Sequence, residues 1–460
     1  MTAVSLGTFT STLASGMVSV SLPTMTQALS TDMVTVAWVI MAYLLAATGL
    51  LLLSGRLADL FGRREVYLAG FLVFTLGAGL ASLSPSIFWL IGARVVQGLG
   101  ASALMANGAA MLSVAFGASQ RGRVLGLLGA VVSSALMAGP LLGGFLVEHL
   151  GWRAVFYINI GPGLAGAWIC SQVLVPENKA RIRPRLDLFG AASLASFITT
   201  LVMLLSQIQR KGWGSFYIHS LFIASLASFI AFVLREKKTR DPIIDFSIFR
   251  NIPFLMTIGA SFFYYAMAIT NNFLMPFYLQ RVLGFTPAQV GMIVVPIFIT
   301  IMLVAPISGR LSDRVGSYFP ALIGIVVATV AFWSFTRLTS DSSVADIIWR
   351  QVLLGIGMGL FSSPNHSAVL GFAPKEHLGL VSSLIALFRN LGFSSGLAIA
   401  GAVVAGRLAY YQRLAPQISG WSFLQSLHDA WWVAAGFGGL ACIIYIARAK
   451  GQREPEPALP

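Results

Sequence analysis

The chain has 460 residues, 57% of them hydrophobic and only 10% charged, with a net charge of +14 and a mean hydropathy of +0.82. Soluble domains carry about 25% charged residues, so a water-wrapped core is excluded, and with it ordinary cytosolic enzymes, disordered chains and nucleic-acid binders. A helix crosses a bilayer with about 20 apolar residues, so fourteen crossings need about 280 residues and leave only short connections.

A hydropathy window of about 19 residues predicts fourteen apolar segments, near 4–29, 34–54, 66–83, 86–116, 122–148, 153–174, 188–207, 217–234, 254–279, 287–308, 318–337, 347–372, 379–406 and 429–447. The run that opens at Met1 lacks a basic leading region and outlasts a signal-peptide core, which argues against a cleavable signal. Placing both termini in the cytoplasm sorts the 30 Lys and Arg into 20 on inner loops and tail, 8 on outer loops, and 2 inside spans, Arg94 and Arg389. That bias is the positive-inside pattern. It accounts for the charge through anionic inner-leaflet lipid, so no nucleic-acid partner is implied. Cys170 and Cys442 lie in apolar stretches without metal-ligand spacing, and read as small core residues.

The sequence repeats itself. GRLADLFGRR starts at Gly55 after the second span, and GRLSDRVG starts at Gly309 after the tenth, 254 residues later. A glycine run follows Arg94 (Gly98, Gly100), and another follows Arg350 (Gly355, Gly357, Gly359). The expected organisation is a six-helix unit in 1–175, two inserted transmembrane helices in 176–252, a second six-helix unit in 253–450, and a cytoplasmic tail in 451–460. Duplicated helical halves around a midplane site are the build of secondary transporters.

These residues carry a family resemblance over Met1–Lys450. GRLADLFGRR resembles the loop motif of the major facilitator superfamily, and LIGARVVQGLGAS (90–102) is similar to its fourth-helix motif. LLGAVVSSALMAGPLLGG (127–144) and WRAVFYINIGPG (152–163) resemble the fifth-helix motif and the start of span six in the fourteen-span branch of drug:proton antiporters. The resemblance implies an all-α membrane fold of fourteen transmembrane helices, two six-helix repeats plus two inserted helices. It also implies alternating access and export of amphiphilic small molecules. One position departs. LASGMVSVSLPT (13–24) matches the first-span pattern, but Ala14 stands where the branch has a proton-binding Asp. All 16 acidic residues map to loops, span ends or the tail, so no midplane carboxylate is expected and proton coupling is in doubt.

The candidate gating residues are Gly55, Arg56, Asp59, Gly62, Arg63 and Arg64, repeated as Gly309, Arg310, Asp313 and Arg314. The glycines permit tight turns, and the charges form pairs that bias two states or simply hold the loop inside. Gly139, Pro140, Gly143 and Gly144 form a small-residue stripe, readable as a sliding interface or as static close packing. Candidate substrate contacts are Arg94, Gln97, Asn107, Asn159, Tyr264, Asn271, Asn272, Asn365 and Arg389, amides and an aromatic that suit loose binding of amphiphiles. For Arg94 and Arg389 the alternatives are hydrogen bonding to backbone and amides, or contact with an anion. For each Asn, the alternative is an interhelical bond. His366, after the kinking Pro364, is the titratable candidate for a proton carrier. No GxxxxGK[ST] loop or paired-carboxylate arrangement is present, so neither ATP-driven pumping nor enzymatic chemistry is expected. No cofactor or metal is implied. The expected partners are a small amphiphilic substrate and the lipid bilayer, the protein a monomer in the inner membrane. Competing readings are an uncoupled facilitator or flippase for an anionic amphiphile, and a non-transporting membrane sensor or scaffold.

Overall fold

The computed structural model describes residues 1–173, 187–239, 246–372, 378–416 and 419–449. The basic loop with Lys179, Arg181, Arg183 and Arg185, the loop residue Lys375 and the tail 451–460 lie outside the described residues. Among those described, the regular structure is helical and no strand occurs. In chain order the helices are α1 (Thr2–Ala28), α2 (Met33–Gly49), α3 (Leu51–Phe61), α4 (Arg63–Ser82), α5 (Ile87–Ala115), α6 (Gly117–Leu150), α7 (Ala154–Tyr157) and α8 (Ile160–Val173). They continue with α9 (Leu188–Lys211), α10 (Phe216–Lys238), α11 (Ile252–Phe277), α12 (Pro287–Val315), α13 (Tyr318–Phe335), α14 (Val344–Gly371), α15 (Leu378–Leu414) and α16 (Ser419–Ala449). Thirteen described helices are long and apolar enough to span, and a fourteenth crossing results when α2 and α3, meeting at a 49° bend, count as one. The chain is a multi-pass membrane protein.

Lipid offers no partner to a bare N–H or C=O, so a spanning segment closes its own hydrogen bonds as a helix. Helix ends are then tied off locally. The carboxylate of Asp32 accepts from Thr35 N at 2.9 Å and caps α2, and Ser86 Oγ accepts from Trp89 N at 3.3 Å to cap α5.

The chain divides into two compact units. The first holds Met1–Ile243 with Phe285–Met292, and the second holds Ile244–Gly284 with Ile293–Pro460. The inserted hairpin α9–α10 therefore groups with the first unit. Its helices pack on each other and α9 packs on α2, where a methyl on Gly49 would lie 3.2 Å from Ala195 Cβ. Arg210 at the end of α9 pairs with Asp32 at 3.1 Å.

Both units use the same glycine seam. In the first, α5 lies against α2 through Gly98, whose added methyl would sit 2.6 Å from Tyr43 O. It lies against α4 through Gly100, 2.6 Å from Gly70 O. In the second, α14 lies against α12 through Gly355, 2.7 Å from Ile297 O, and against α13 through Gly357, 2.6 Å from Ala328 N. Helices in lipid are held by van der Waals contact rather than by a hydrophobic drive, and glycine lets backbones come that close. The repeat seen in the sequence is thus a repeat of packing.

Two expectations are corrected. The GRLADLFGRR segment is not a loop: Gly55–Phe61 continues α3, and Gly309–Val315 is the last part of α12. Gly55 makes no turn and its missing side chain faces open space, whereas Gly62 (φ +100°) and Gly316 (φ +81°) end the two helices in the left-handed region open to glycine. Arg350, one of the eight cations that the positive-inside sorting assigns to outer loops, lies inside α14 near its start.

Candidate functional site

The two cations that hydropathy places inside spans, Arg94 and Arg389, have opposite environments. Arg94 on α5 is 0% exposed. Its Nε donates to Val39 O on α2 at 2.8 Å and its guanidinium donates to Gln97 Oε1 at 2.6 Å. The guanidinium carbon sits 4.2 Å from the centre of the Tyr43 ring, and Tyr43 in turn donates to Ser11 O on α1 at 3.0 Å. One carbonyl, one amide and a ring face replace a carboxylate, so Arg94 fastens α5, α2 and α1 together. Arg94 Nη2 and Gln97 Nε2 have no hydrogen-bond partner among the described residues.

Arg389 on α15 is half-buried, and among the described residues it makes no hydrogen bond or ion pair. It lies within electrostatic reach of Tyr265 on α11 and His366 on α14. The approach of α11 to α15 is set by Gly392 and Gly396. Added methyls there would lie 3.1 Å from Tyr265 Cβ and 2.7 Å from Ala266 Cα. Around this point the aromatic rings cluster. Tyr264 stacks on Phe361 with centroids 3.8 Å apart, and Tyr265 meets Phe361 edge-on at 6.0 Å and Phe393 at 5.4 Å. Ser362, one residue past Phe361, and His366 are exposed along the same helix. Polar side chains exposed within a span are expensive against lipid and belong to a wetted cleft. The second unit thus brings Tyr264, Arg389 and His366 into one neighbourhood, with Tyr265 and Ser362, which sequence reasoning missed. Tyr265 is signalled only by its adjacency to Tyr264.

The amides go elsewhere. Asn271 donates to Gln351 Oε1 at 2.9 Å and Asn365 donates to Ser261 Oγ at 2.8 Å, both as buried bonds joining α11 to α14. Asn107 and Asn159 donate to carbonyls of their own turns, Ala103 O at 2.9 Å and Val155 O at 2.7 Å. Asn159 stands at the break between α7 and α8. Asn272 is half-buried. His366 stands five residues before the end of α14, nearer a helix end than the middle.

The stripe on α6 has two working faces. Gly139 and Gly143 meet α1, where methyls would lie 2.9 Å from Gly16 Cα and 2.8 Å from Met17 Cα. Gly144 and Pro140 meet residues 287–291, where a methyl on Gly144 would lie 3.1 Å from Ala288 Cα and one on Gly291 would lie 3.1 Å from Pro140 C. Nearby, Glu148 Oε2 accepts from Ala288 N at 2.9 Å, an anion set at a helix start. Of the motif charges, Asp59 and Arg63 are 3.9 Å apart at the α3–α4 corner. Arg64 donates to Ser171 O at 2.7 Å, tying α4 to α8. In the second copy Arg310, Asp313 and Arg314 are exposed. Ala14 is 1% exposed, packed in the cluster that includes Tyr43. The described residues contain no group of His, Cys, Asp and Glu suited to a metal ion.

Comparison with known proteins places this architecture. The model of the Major Facilitator Superfamily matches residues 4–397 and, again, 256–459. The chain is 33% identical over 454 residues to the riboflavin transporter RibZ of Clostridioides difficile, covering 97% of this chain and 96% of that protein. It is 30% identical over 412 residues to the tetracenomycin C resistance and export protein of Streptomyces glaucescens, covering 88% and 76%. It is 29% identical over 372 residues to the multidrug transporter protein MdtP of Bacillus subtilis, covering 80% and 68%. Among solved structures, a bacterial homologue of the human lysosomal transporter Spinster shares the fold at TM-score 0.74 and 15% identity, over 97% of this chain and 96% of that one. With its two glycine-seamed helical units and this match across the sequence, the chain belongs to the Major Facilitator Superfamily of membrane transporters.

Proposed function

We propose that the protein is a secondary transporter of the inner membrane, with both termini in the cytoplasm, that exports amphiphilic or lipophilic small molecules by alternating access as a monomer. The observation that carries this reading is the meeting of α11, α14 and α15 in the second unit, where exposed polar side chains lie inside spans beside an aromatic cluster. Rings bind apolar bodies with little demand on shape, and a few polar groups orient them. Relatives named for multidrug transport and for export of a natural product support the direction, and one named for riboflavin supports an aromatic cargo. The glycine of α3's end, Gly62, and the neighbouring Asp59–Arg63 pair form the gating corner in this reading, with Gly316 as its counterpart.

Proton coupling is weak or absent in this proposal. A proton drives export only when its occupancy changes substrate affinity or the balance of states. Ala14 supplies no carboxylate, and His366 sits near a helix end beside a cation. The test is flux of a fluorescent amphiphile in proteoliposomes, at uniform pH and then across an imposed pH gradient. Substrate-dependent flux that is little changed by the gradient supports the reading. No flux with any amphiphile removes the transport assignment, and strong gradient-driven accumulation removes the weak coupling.

A further inference from the structure

Arg389 lies within the apolar helix Leu380–Leu414, nine residues from its first residue. A cation within such a helix is costly unless compensated. Arg94 shows how this protein compensates one when it serves packing: full burial, a carbonyl at 2.8 Å, an amide at 2.6 Å and a ring face. Among the described residues, Arg389 has none of these bonds. It is half-open beside exposed Ser362 and His366, and the described carboxylate on α14, Asp346, stands near the opposite end of that helix. Five guanidinium donors, one helical turn before Gly392 where α15 packs on Tyr265, suit an oxyanion attached to a flat apolar body. A cationic amphiphile would meet like charge here, and a neutral one would leave the guanidinium uncompensated.

We infer that this cleft of the second unit takes aromatic organic anions, with Arg389 pairing with the carboxylate, sulfonate or phosphate group and Tyr265 facing the ring system. The inference rests on the transport reading above and narrows its cargo. Ser362 and His366 add hydrogen bonds on the open side of the cleft.

The test uses the full chain in lipid nanodiscs and two fluorescent probes with one aromatic body: dansylate, a naphthalene sulfonate, and dansyl amide, its uncharged sulfonamide. Dansylate is expected to bind about tenfold or more tightly than dansyl amide. Arg389→Gln should erase most of that preference by weakening dansylate alone. Arg389→Lys should keep part of it, because an ammonium supplies charge without the planar fork. Tyr265→Leu should weaken both probes alike. Equal affinity for the two probes in the unmodified protein overturns the inference. So does an Arg389→Gln protein of unchanged melting temperature that still prefers dansylate. If Arg389→Gln does not fold, the preference of the unmodified protein and its reduction in Arg389→Lys decide. Proteoliposome flux separates the two levels. Flux of dansyl amide with no preference for dansylate sinks the anion site and leaves the transporter. Anion-selective binding with no flux of either probe upholds the site and sinks the transport reading.

Discussion

Replacing Gly100 by Ala measures how much the α4–α5 seam matters, and Gly92→Ala on the same helix is its control. A methyl at Gly100 would overlap Phe74 N and lie 2.6 Å from both Gly70 O and Phe74 Cα, where ordinary contact begins at 3.4 Å. All three are backbone atoms and none can rotate away, so α4 and α5 must separate by about 1 Å, a gap that forfeits a quarter to a half of each pair attraction. Overpacking of this kind costs about 1–3 kcal/mol. A helical Gly→Ala change gives back about 0.5–1 kcal/mol of backbone entropy, so the net loss is about 0–2.5 kcal/mol, centred near 1 kcal/mol. In a unit of this size that lowers the melting temperature by about 2–4 °C per kcal/mol. At Gly92 no atom lies within 4 Å of the added methyl, so only the gain remains and the melting temperature should rise slightly. Tryptophan fluorescence during thermal unfolding of the detergent-solubilised proteins reads both. A Gly100→Ala protein that melts at or above the unmodified one would refute the argument that backbone contact, rather than side-chain filling, holds this seam.

Asp187 caps α9 by accepting from Gly190 N at 2.9 Å, and also accepts from Arg235 Nε at 3.1 Å and Thr239 Oγ1 at 3.0 Å. Burial alone would raise its pKa, but these bonds outweigh it and hold the carboxyl below its ordinary value. A depressed folded pKa gives stability that is complete above the unfolded value of about 3.9 and is lost as pH falls through the folded one. Asp187→Asn should therefore cost about 1 kcal/mol at neutral pH and flatten the acid limb of hydrogen-exchange protection in α9 and α10; an unchanged limb would remove the carboxylate from the account. At Arg94, Lys should be worse than Met in thermal unfolding. Lys keeps the buried charge with fewer bonds, whereas Met removes the desolvation and leaves chiefly Gln97 unpaired, a cost of about 1–3 kcal/mol; the reverse order would contradict this. Ala14→Asp should give flux a dependence on an imposed pH gradient, and any dependence in the unmodified protein should vanish in His366→Gln. Gradient-driven accumulation that survives His366→Gln would point to a span-end carboxylate such as Glu148.

Hydropathy was enough to find the crossings, because the cost of an unpaired peptide group in lipid leaves few alternatives to long apolar helices. The paired glycine runs after Arg94 and Arg350 were likewise legible, and each proved to be a seam against the corresponding two neighbours. The motif at Gly55 misled because its glycine and charges read as a loop, although a helix can continue past the hydrocarbon once water can solvate its side chains. Gly62 and Gly316, seven residues later in each copy, carry the turns. Hydropathy is also blind to which way a side chain faces. Arg94 and Arg389 look alike as single cations in apolar runs, yet one has Gln97 a turn away to receive it and the other does not. The asparagines read equally well as cavity lining or as glue, and the described bonds of Asn107, Asn159, Asn271 and Asn365 are to helix carbonyls or to polar side chains of neighbouring helices.

The inserted hairpin has a mechanical consequence for the second crossing. It is pinned to α2 at one end by Arg210 on Asp32 and along its side by Ala195 on Gly49, and its own two legs are clasped by Asp187 and Arg235 at 3.1 Å. α2 thus carries a splint for its whole length, up to the residue before the 49° joint at Leu50. A splinted beam ending in a joint does not flex evenly: load applied to a free far arm concentrates at the joint. Because α3 is itself held to α5 by the Ser54–Ser102 hydroxyl bond at 2.8 Å, force on the Gly55–Gly62 corner divides between the joint at Leu50 and α5, with the hairpin anchoring the α2 side.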